Sequence, residues 1–272
     1  MPRGYRRIFG DDLMKVPGVL SKTAYTRYQR ELTREIMEGP MPKHIAMIMD
    51  GNRRYAEEFL GGDDNEGHRR GEEKIEEMLE WCLNLKIKYV TVYALSTENF
   101  KRDKGEIDFI MELSEAALYR MADKKKVHEN KVKIRVFGDH TNLPESVKTA
   151  IKYAEEKTAD YSEFNFNVAM AYGSRQEILS AVKDIARKVA NKELNVDDIS
   201  EEIFSEHLYT SDLPDPDLVL RTSGEVRISN FLLWQLAYSE LYFTDVYWPG
   251  FRYIDLLRAI RSYQQRVRRY GE

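Results

Sequence analysis

A single cysteine, Cys82, in 272 residues excludes an internal disulfide framework and any cysteine-rich zinc site. The five histidines (His44, His68, His128, His140 and His207) form no HExxH or HxxxH pair, which removes a helical histidine metal centre. No stretch approaches about 18 uninterrupted apolar residues, so no membrane-spanning helix is expected. The basic residues between Met1 and Arg7 are followed by no apolar stretch, which argues against a secretory signal. Positive charge is not in excess. With 42 Lys and Arg against 46 Asp and Glu the formal charge is −4, which argues against a dedicated nucleic-acid binder. Nor is apolar content low enough for disorder, at 42% hydrophobic against 32% charged. What remains is an ordinary globular chain, expected in a reducing cytoplasm.

Charge is unevenly distributed. Residues 1–40 carry eight basic side chains (Arg3, Arg6, Arg7, Lys15, Lys22, Arg27, Arg30, Arg34) against five acidic ones, a net of +3. Within them Ala24, Tyr28, Leu32 and Ile36 recur every four residues, the pattern of one amphipathic helix. It either packs on the body or lies against an anionic membrane surface. Gly39-Pro40-Met41-Pro42 breaks it, so residues 1–40 read as a helical extension and 41–272 as the main domain. From there, short β-branched and aromatic runs predict strands at Ile45–Met49, Tyr89–Leu95, Val132–Phe137, Phe164–Ala171, Leu218–Leu220 and Leu241–Tyr247. Segments of helical period fall at 72–85, 106–122, 174–190 and 253–270; the third places Ile178, Ala181, Val182, Ile185 and Val189 on one face. Strands alternating with helices imply crossovers, hence a single α/β domain with a mostly parallel sheet of about six strands flanked by helices.

Ligands of such sheets bind beyond the carboxyl ends of the strands, so the polar residues there matter most. The first strand runs into Asp50-Gly51-Asn52-Arg53-Arg54-Tyr55: a carboxylate suited to a divalent ion, a glycine permitting close approach, and two guanidinium forks suited to phosphate. The structural alternative is a turn in which Asp50 caps a helix. The second strand runs into Ser96-Thr97-Glu98-Asn99-Phe100-Lys101-Arg102, where Ser96 or Thr97 could equally cap a helix and Glu98 complete a capping box. The fifth runs into 221–230, with Arg221, Arg227, Ile228 and Ser229 on a strand-to-helix loop. Two Arg-bearing loops at one rim suggest two anionic groups bound side by side. The segment 61–71, with Asp63, Asp64 and His68, reads as a flexible charged loop and His68 as solvent-exposed.

The motifs His44-Ile-Ala-Met-Ile-Met-Asp-Gly-Asn-Arg-Arg-Tyr55, Gly67-His68, Tyr93 to Phe100, Ala171 to Arg175 and Leu220 to Gln235, in this order, resemble the cis-prenyltransferases. That family condenses isopentenyl diphosphate with an allylic diphosphate and makes each new double bond cis. The resemblance implies that Asp50 carries Mg²⁺ and assists departure of the allylic diphosphate, and that Gly51, Asn52, Arg53, Arg54 and Tyr55 belong to the loop cradling it. It implies a diphosphate contact for His68 and an active-site segment comprising Ser96, Thr97, Glu98, Asn99, Phe100 and Arg102, with Asn99 helping proton removal. Arg221, Arg227, Ile228 and Ser229 fall in the pocket for isopentenyl diphosphate, and Glu240 where a metal-associated Glu lies near the dimer interface. Ala94, Leu95, Leu113 and Leu118 could line a tunnel for the tail.

Two positions depart from the pattern. Members commonly carry an Arg three residues before the Gly-His, where this chain has Asp64, and the bacterial metal-associated His is Val226 here, as in archaeal or eukaryotic-type members. The expectation is therefore a Mg²⁺-dependent homodimeric enzyme using geranylgeranyl or farnesyl diphosphate as primer. Its product would be a polyprenyl diphosphate that serves as a glycosyl-carrier lipid, and peripheral membrane contact is possible. Two alternatives stand: a short-chain or irregular coupling enzyme, and a non-catalytic partner subunit, the second weakened by the intact Asp-Gly-Asn-Arg motif.

Overall fold

A computed structural model describes residues 18–270, with side chains described over 24–266. The basic residues before position 18 and the side chains of Arg268 and Arg269 thus lie outside the described residues. In chain order the elements are α1 (Gly18–Met37), β1 (His44–Ile48), α2 (Asn52–Phe59), α3 (Asp64–Asn84), β2 (Tyr89–Tyr93), α4 (Lys104–Asp123), α5 (Lys125–Glu129) and β3 (Val132–Phe137). They continue with α6 (Glu145–Lys157), β4 (Phe164–Ala169), α7 (Ser174–Ala190), α8 (Glu201–Glu206), β5 (Leu218–Arg221), β6 (Glu240–Phe243) and α9 (Tyr253–Tyr270).

The six strands form one sheet in the order β3-β4-β2-β1-β5-β6, every pairing parallel. The chain leaves β1 toward β2 on one side and returns later as β5 on the other. The strand order therefore reverses at β1, and a crevice opens there beyond the strand ends. Both faces are covered, which is why the strands read as continuous apolar runs. Alternate residues divide between two cores. Ile45, Met47, Val90, Val92, Phe166, Leu218 and Leu220 join the larger, built with α3, α4, α6 and α9. Ala46, Ile48, Ala169 and Val219 join the smaller, closed by Tyr172, Phe231 and Leu232.

The amphipathic N-terminal helix forms, and among its described side chains those of its last two turns pack. Leu32 and Ile36 are buried, and the Gln264 side-chain amide of α9 donates to the Ile36 carbonyl (2.7 Å). Ala24 and Tyr28 are exposed. Three other expectations change. The segment 61–71 is not a loop throughout: from Asp64 it is the start of α3, with Asp63 as N-cap accepting from the Glu66 amide. In α7, Val182 is 48% exposed, because the packed stripe is Ala181 and Ile185 with Glu177. No helix follows β5; residues 222–239 are turns and bends. His44 of the first motif is a core residue at the opposite end of β1 from the crevice. Its ring bonds the Pro214 carbonyl (2.6 Å) and the Thr91 hydroxyl (2.8 Å), and burial lowers its pKa to about 4. Among the described residues no helix is long and apolar enough to cross a membrane.

Candidate active site

The crevice beyond β1, β2 and β5 encloses about 760 Å³. It is lined by Asp50, Gly51, Asn52, Arg53, Arg54, His68, Ser96, Asn99, Arg102, Arg221, Arg227 and Ser229. Twelve residues expected from the sequence thus converge from four segments of the chain. Tyr55, Thr97, Glu98, Phe100, Ile228 and Glu240 do not join them. Tyr55 turns to Phe59 (ring centroids 5.0 Å apart), Phe100 packs on the larger core, and Ile228 on the smaller. Glu98 accepts from Asn230 Nδ2 (3.0 Å), and the Thr97 hydroxyl is buried. Glu240 opens β6 opposite Leu218, three residues below the Arg221 level and so roughly 10 Å along the strands from it. There it accepts from Arg266 (2.8 Å).

Asp50 is the junction of the site. One carboxylate oxygen accepts from Arg221 Nη2 (2.7 Å) and the other from Arg54 Nη2 (3.3 Å), so it does not cap α2. The N-cap is Gly51, in the left-handed region at φ 107°. A Cβ there would lie 2.9 Å from the Tyr247 ring and 3.1 Å from the Ser223 hydroxyl, so the glycine answers both a backbone and a space requirement. Gly51→Ala should therefore lose about 1–3 kcal/mol of stability in denaturant unfolding, with activity falling as the loop shifts.

Around Asp50 every guanidinium is held by a carboxylate. Arg53 pairs with Asp64 (2.9 Å), Arg54 with Glu225 (3.1 Å), Arg102 with Glu106 (2.8 Å), and Arg227 with Glu225. Asp64, which departs from the expected pattern, lines the cleft but faces a cation contributed by α2, which offsets its charge. His68 is buried, not solvent-exposed. Its Nε2–H donates to Glu106 (3.1 Å) and its Nδ1 accepts from Asn52 Nδ2 (3.4 Å). Burial, the largest influence, lowers its pKa, so the ring is neutral at pH 7.

After β2 the backbone forms a short 3₁₀ turn. Ser96 accepts from the Asn99 amide (3.2 Å), and Asn99 Oδ1 accepts from the Ser96 amide (2.8 Å), so Asn99 and not Glu98 completes the capping box. This orients Asn99 with its NH₂ group left for a ligand. Buried polar atoms without a protein partner include Arg221 Nε, Asn52 Oδ1 and the Ser223 hydroxyl. Buried donors and acceptors are ordinarily satisfied, so these point to groups supplied by ligand or water.

Sequence reasoning missed Glu106, Glu225, Glu57 and Tyr93. Glu106 carried a signal, lying four residues after Arg102 at helical spacing. Glu225 lies beside its local partner Arg227 in a motif already singled out, but its pairing with Arg54, 171 residues away, carried no signal.

From the cleft an apolar channel of about 120 Å³ runs between the sheet, α3 and α4. Ala94, Leu113 and Leu118 line it as expected, whereas Leu95 lines the cleft instead. Among the described residues no group of three or more His, Cys, Asp or Glu could enclose a metal. Mg²⁺ needs no such group, because it is ordinarily held by one or two carboxylates, substrate phosphates and water. Asp50 fits that mode.

Residues 48–271 match the family model described as putative undecaprenyl diphosphate synthase. The chain is 50% identical over 258 residues to a Thermoplasma volcanium protein named tritrans,polycis-undecaprenyl-diphosphate synthase (geranylgeranyl-diphosphate specific), covering 95% of this chain and all of that one. It is 52% identical over 247 residues to the Methanocaldococcus jannaschii protein of the same name, covering 90% of this chain and 88% of that one. Among solved structures, lavandulyl diphosphate synthase from Lavandula x intermedia, in complex with dimethylallyl diphosphate, superposes with a TM-score of 0.78 at 38% identity, over 82% of this chain and 95% of that one. A probable undecaprenyl diphosphate synthase from Campylobacter jejuni gives 0.68 at 34% identity, over 86% and 100% respectively.

Proposed function

The chain belongs to the undecaprenyl diphosphate synthase family and is a cis-prenyltransferase, and on that premise we propose that it extends geranylgeranyl diphosphate with isopentenyl diphosphate to a polyprenyl diphosphate. The observation that carries this reading is Asp50, bonded to both Arg54 and Arg221 between two cationic lobes, with an apolar channel leading away. Arg53, Arg54, His68, Asn52 and the free N–H groups that begin α2 receive the allylic diphosphate. Arg221, Arg227 and Ser229 receive isopentenyl diphosphate, and the channel takes the tail. A Mg²⁺ held by Asp50, substrate phosphates and water would stabilise charge on the departing diphosphate. The arginines add fixed positive charge at the same place, and hold it oriented before reaction. Asn99, its carbonyl oxygen tied to Ser96, orients the reacting groups through its amide N–H.

Incubation with Mg²⁺, labelled isopentenyl diphosphate and C5–C20 allylic primers tests this. The expected result is incorporation with the C20 primer into long products. No incorporation with any primer would overturn it. A C10 product from dimethylallyl diphosphate alone would instead favour irregular coupling, the reading supported by the resemblance to lavandulyl diphosphate synthase.

We propose further that the chain is a homodimer. Tyr238 is 98% exposed, and β6 is an edge strand with Leu241, Tyr242 and Phe243 half-buried. Glu240, distant from Asp50 within one chain, would then act across the interface or not at all. Sedimentation at micromolar concentration should give a dimer; an active monomer would contradict this. For the domain division, residues 1–40 serve as an extension, and Leu32 and Ile36 within it pack on the body. The exposed face of that helix, with Arg27, Arg30 and Arg34, suits weak contact with anionic lipid. Low-salt flotation with anionic liposomes should recover the protein, and recovery unchanged by deleting residues 1–38 would assign the extension a packing role alone.

A further inference from the structure

Glu72 is an anomaly in the channel. It lines the channel together with Ile75, Leu118 and Met121, yet its side chain carries a charge and is only 11% exposed. Burial, the largest influence, raises its pKa, and the Arg120 guanidinium at 2.6 Å opposes that shift. The pair is the first rung of a ladder. Glu72, Glu76 and Glu80 stand at four-residue spacing along one face of α3, opposite Arg120, Lys124 and Lys126 of α4, its C-cap and α5. Arg120 reaches Glu76 (3.5 Å), Lys124 reaches Glu76 (2.6 Å) and Glu80 (3.6 Å), and Lys126 reaches Glu80 (2.8 Å).

The ladder lies where the channel ends. Ile110 lines both cleft and channel and so marks the mouth. Met121, eleven residues or roughly 16 Å further along α4, lines both the channel and a second small void, which Leu79, Leu83 and Val127 line together with Glu76, Glu80, Lys124 and Lys126. A tail that grows past Met121 into that void must part α3 from α4 against the rungs. Moving alkyl chain against Glu72 would also press apolar surface on a mostly buried carboxylate whose partner Arg120 stays half-exposed, an unfavourable contact for the carboxylate.

We propose that the Glu72–Arg120 pair, with the ladder behind it, is the product-length latch of this enzyme: it stops the elongating chain by holding the seam between α3 and α4 closed with charge. The inference rests on the polyprenyl synthase reading above. It makes Glu72, one helical turn beyond His68 on α3, a specificity-determining residue and Arg120, outside both the cleft and the channel lining, its positioning partner.

The test compares wild type with Glu72→Leu, Arg120→Met and the double variant, measuring product chain lengths, first-addition rate to the C20 primer and Tm. Glu72→Leu keeps side-chain bulk and removes charge, so it separates a polar stop from a steric one. The expected result is a shift of the most abundant product by at least one C5 unit upward in each single variant. The double variant should shift no further than the larger single one, because both act through one contact. Arg120→Met, whose side chain lies outside the channel lining, should leave the first addition unchanged. An unchanged length distribution in Arg120→Met, with normal first addition, overturns the latch. So does an unchanged distribution in a folded Glu72→Leu protein. Failure of wild type to add a first isoprene unit would instead overturn the functional reading itself, and is scored separately.

Discussion

Asp50→Asn is expected to lower kcat by at least about a hundredfold while leaving the protein folded. Removing a preorganised group that stabilises developing charge in a transition state typically costs 10²–10³ in kcat, and Asp50 is here also the carboxylate proposed to hold Mg²⁺. Asparagine is the informative substitution. Asp50 accepts from Arg221, which is only 4% exposed, so Asp50→Ala would leave a buried guanidinium short of its carboxylate partner and mix a folding defect into the kinetics. Asparagine keeps an acceptor of the same shape. A loss of about 1 kcal/mol would lower Tm by roughly 2–4 °C in a chain of this size. Near-wild-type turnover of Asp50→Asn in saturating Mg²⁺ would remove Asp50 from the chemistry.

Arg221→Ala is the second large effect. The Arg221 guanidinium donates to Asp50 (2.7 Å), to the Ser229 hydroxyl (2.7 Å) and to the Arg227 carbonyl, while its Nε has no protein partner. It therefore ties the segment after β5 to the end of β1 and presents a free donor. A lost charge-assisted bond is worth roughly 1.5–3 kcal/mol, so the KM for isopentenyl diphosphate should rise roughly ten- to hundredfold. Arg221→Lys keeps the charge but not the fork, and should recover only part of the loss. Arg227 is 61% exposed, so Arg227→Ala should raise the same KM by less. If the KM for the allylic diphosphate alone rises in Arg221→Ala, the two lobes carry the substrates in the opposite sense.

Much of this architecture is legible in the sequence. β-Branched runs bounded by turn residues marked all six strands, and the third was correct to the residue, at Val132–Phe137. The ends that shifted did so through long-range partners. β6 ends at Phe243: the Thr244 amide makes a last bond to the Arg221 carbonyl, and beyond it the chain turns so that the Thr244 and Val246 carbonyls receive the Gly224 and Ser223 amides. The polar rim motifs were also visible, since strand-end Asp, Asn and Arg side chains have no core to join.

The tertiary structure alone decided which of those side chains share one cleft. Within Ser96 to Arg102, the 3₁₀ turn sends Ser96, Asn99 and Arg102 into the site and Thr97, Glu98 and Phe100 away from it, a split that depends on where one backbone turn begins. The segment 222–239 is more dependent still. Ser223, Ser229, Asn230 and Leu232 all take left-handed backbone, each at a cost of order 1–3 kcal/mol, and no local pattern announces this. What holds it is distant: the Ser174 amide donates to the Asn230 carbonyl (2.8 Å), the Leu233 amide to the Ser174 hydroxyl (2.9 Å), and Gln235 to the buried Glu177 carboxylate (3.2 Å). The sequence by itself determined the strands, the crossovers and the residue types at the rim, because hydrophobic period and turn chemistry are local properties. The meeting of Asp50 with Arg221, and of Glu72 with Arg120, was decided by sheet order and helix packing, because partners 171 and 48 residues apart become neighbours only when β5 returns beside β1 and α4 closes over α3.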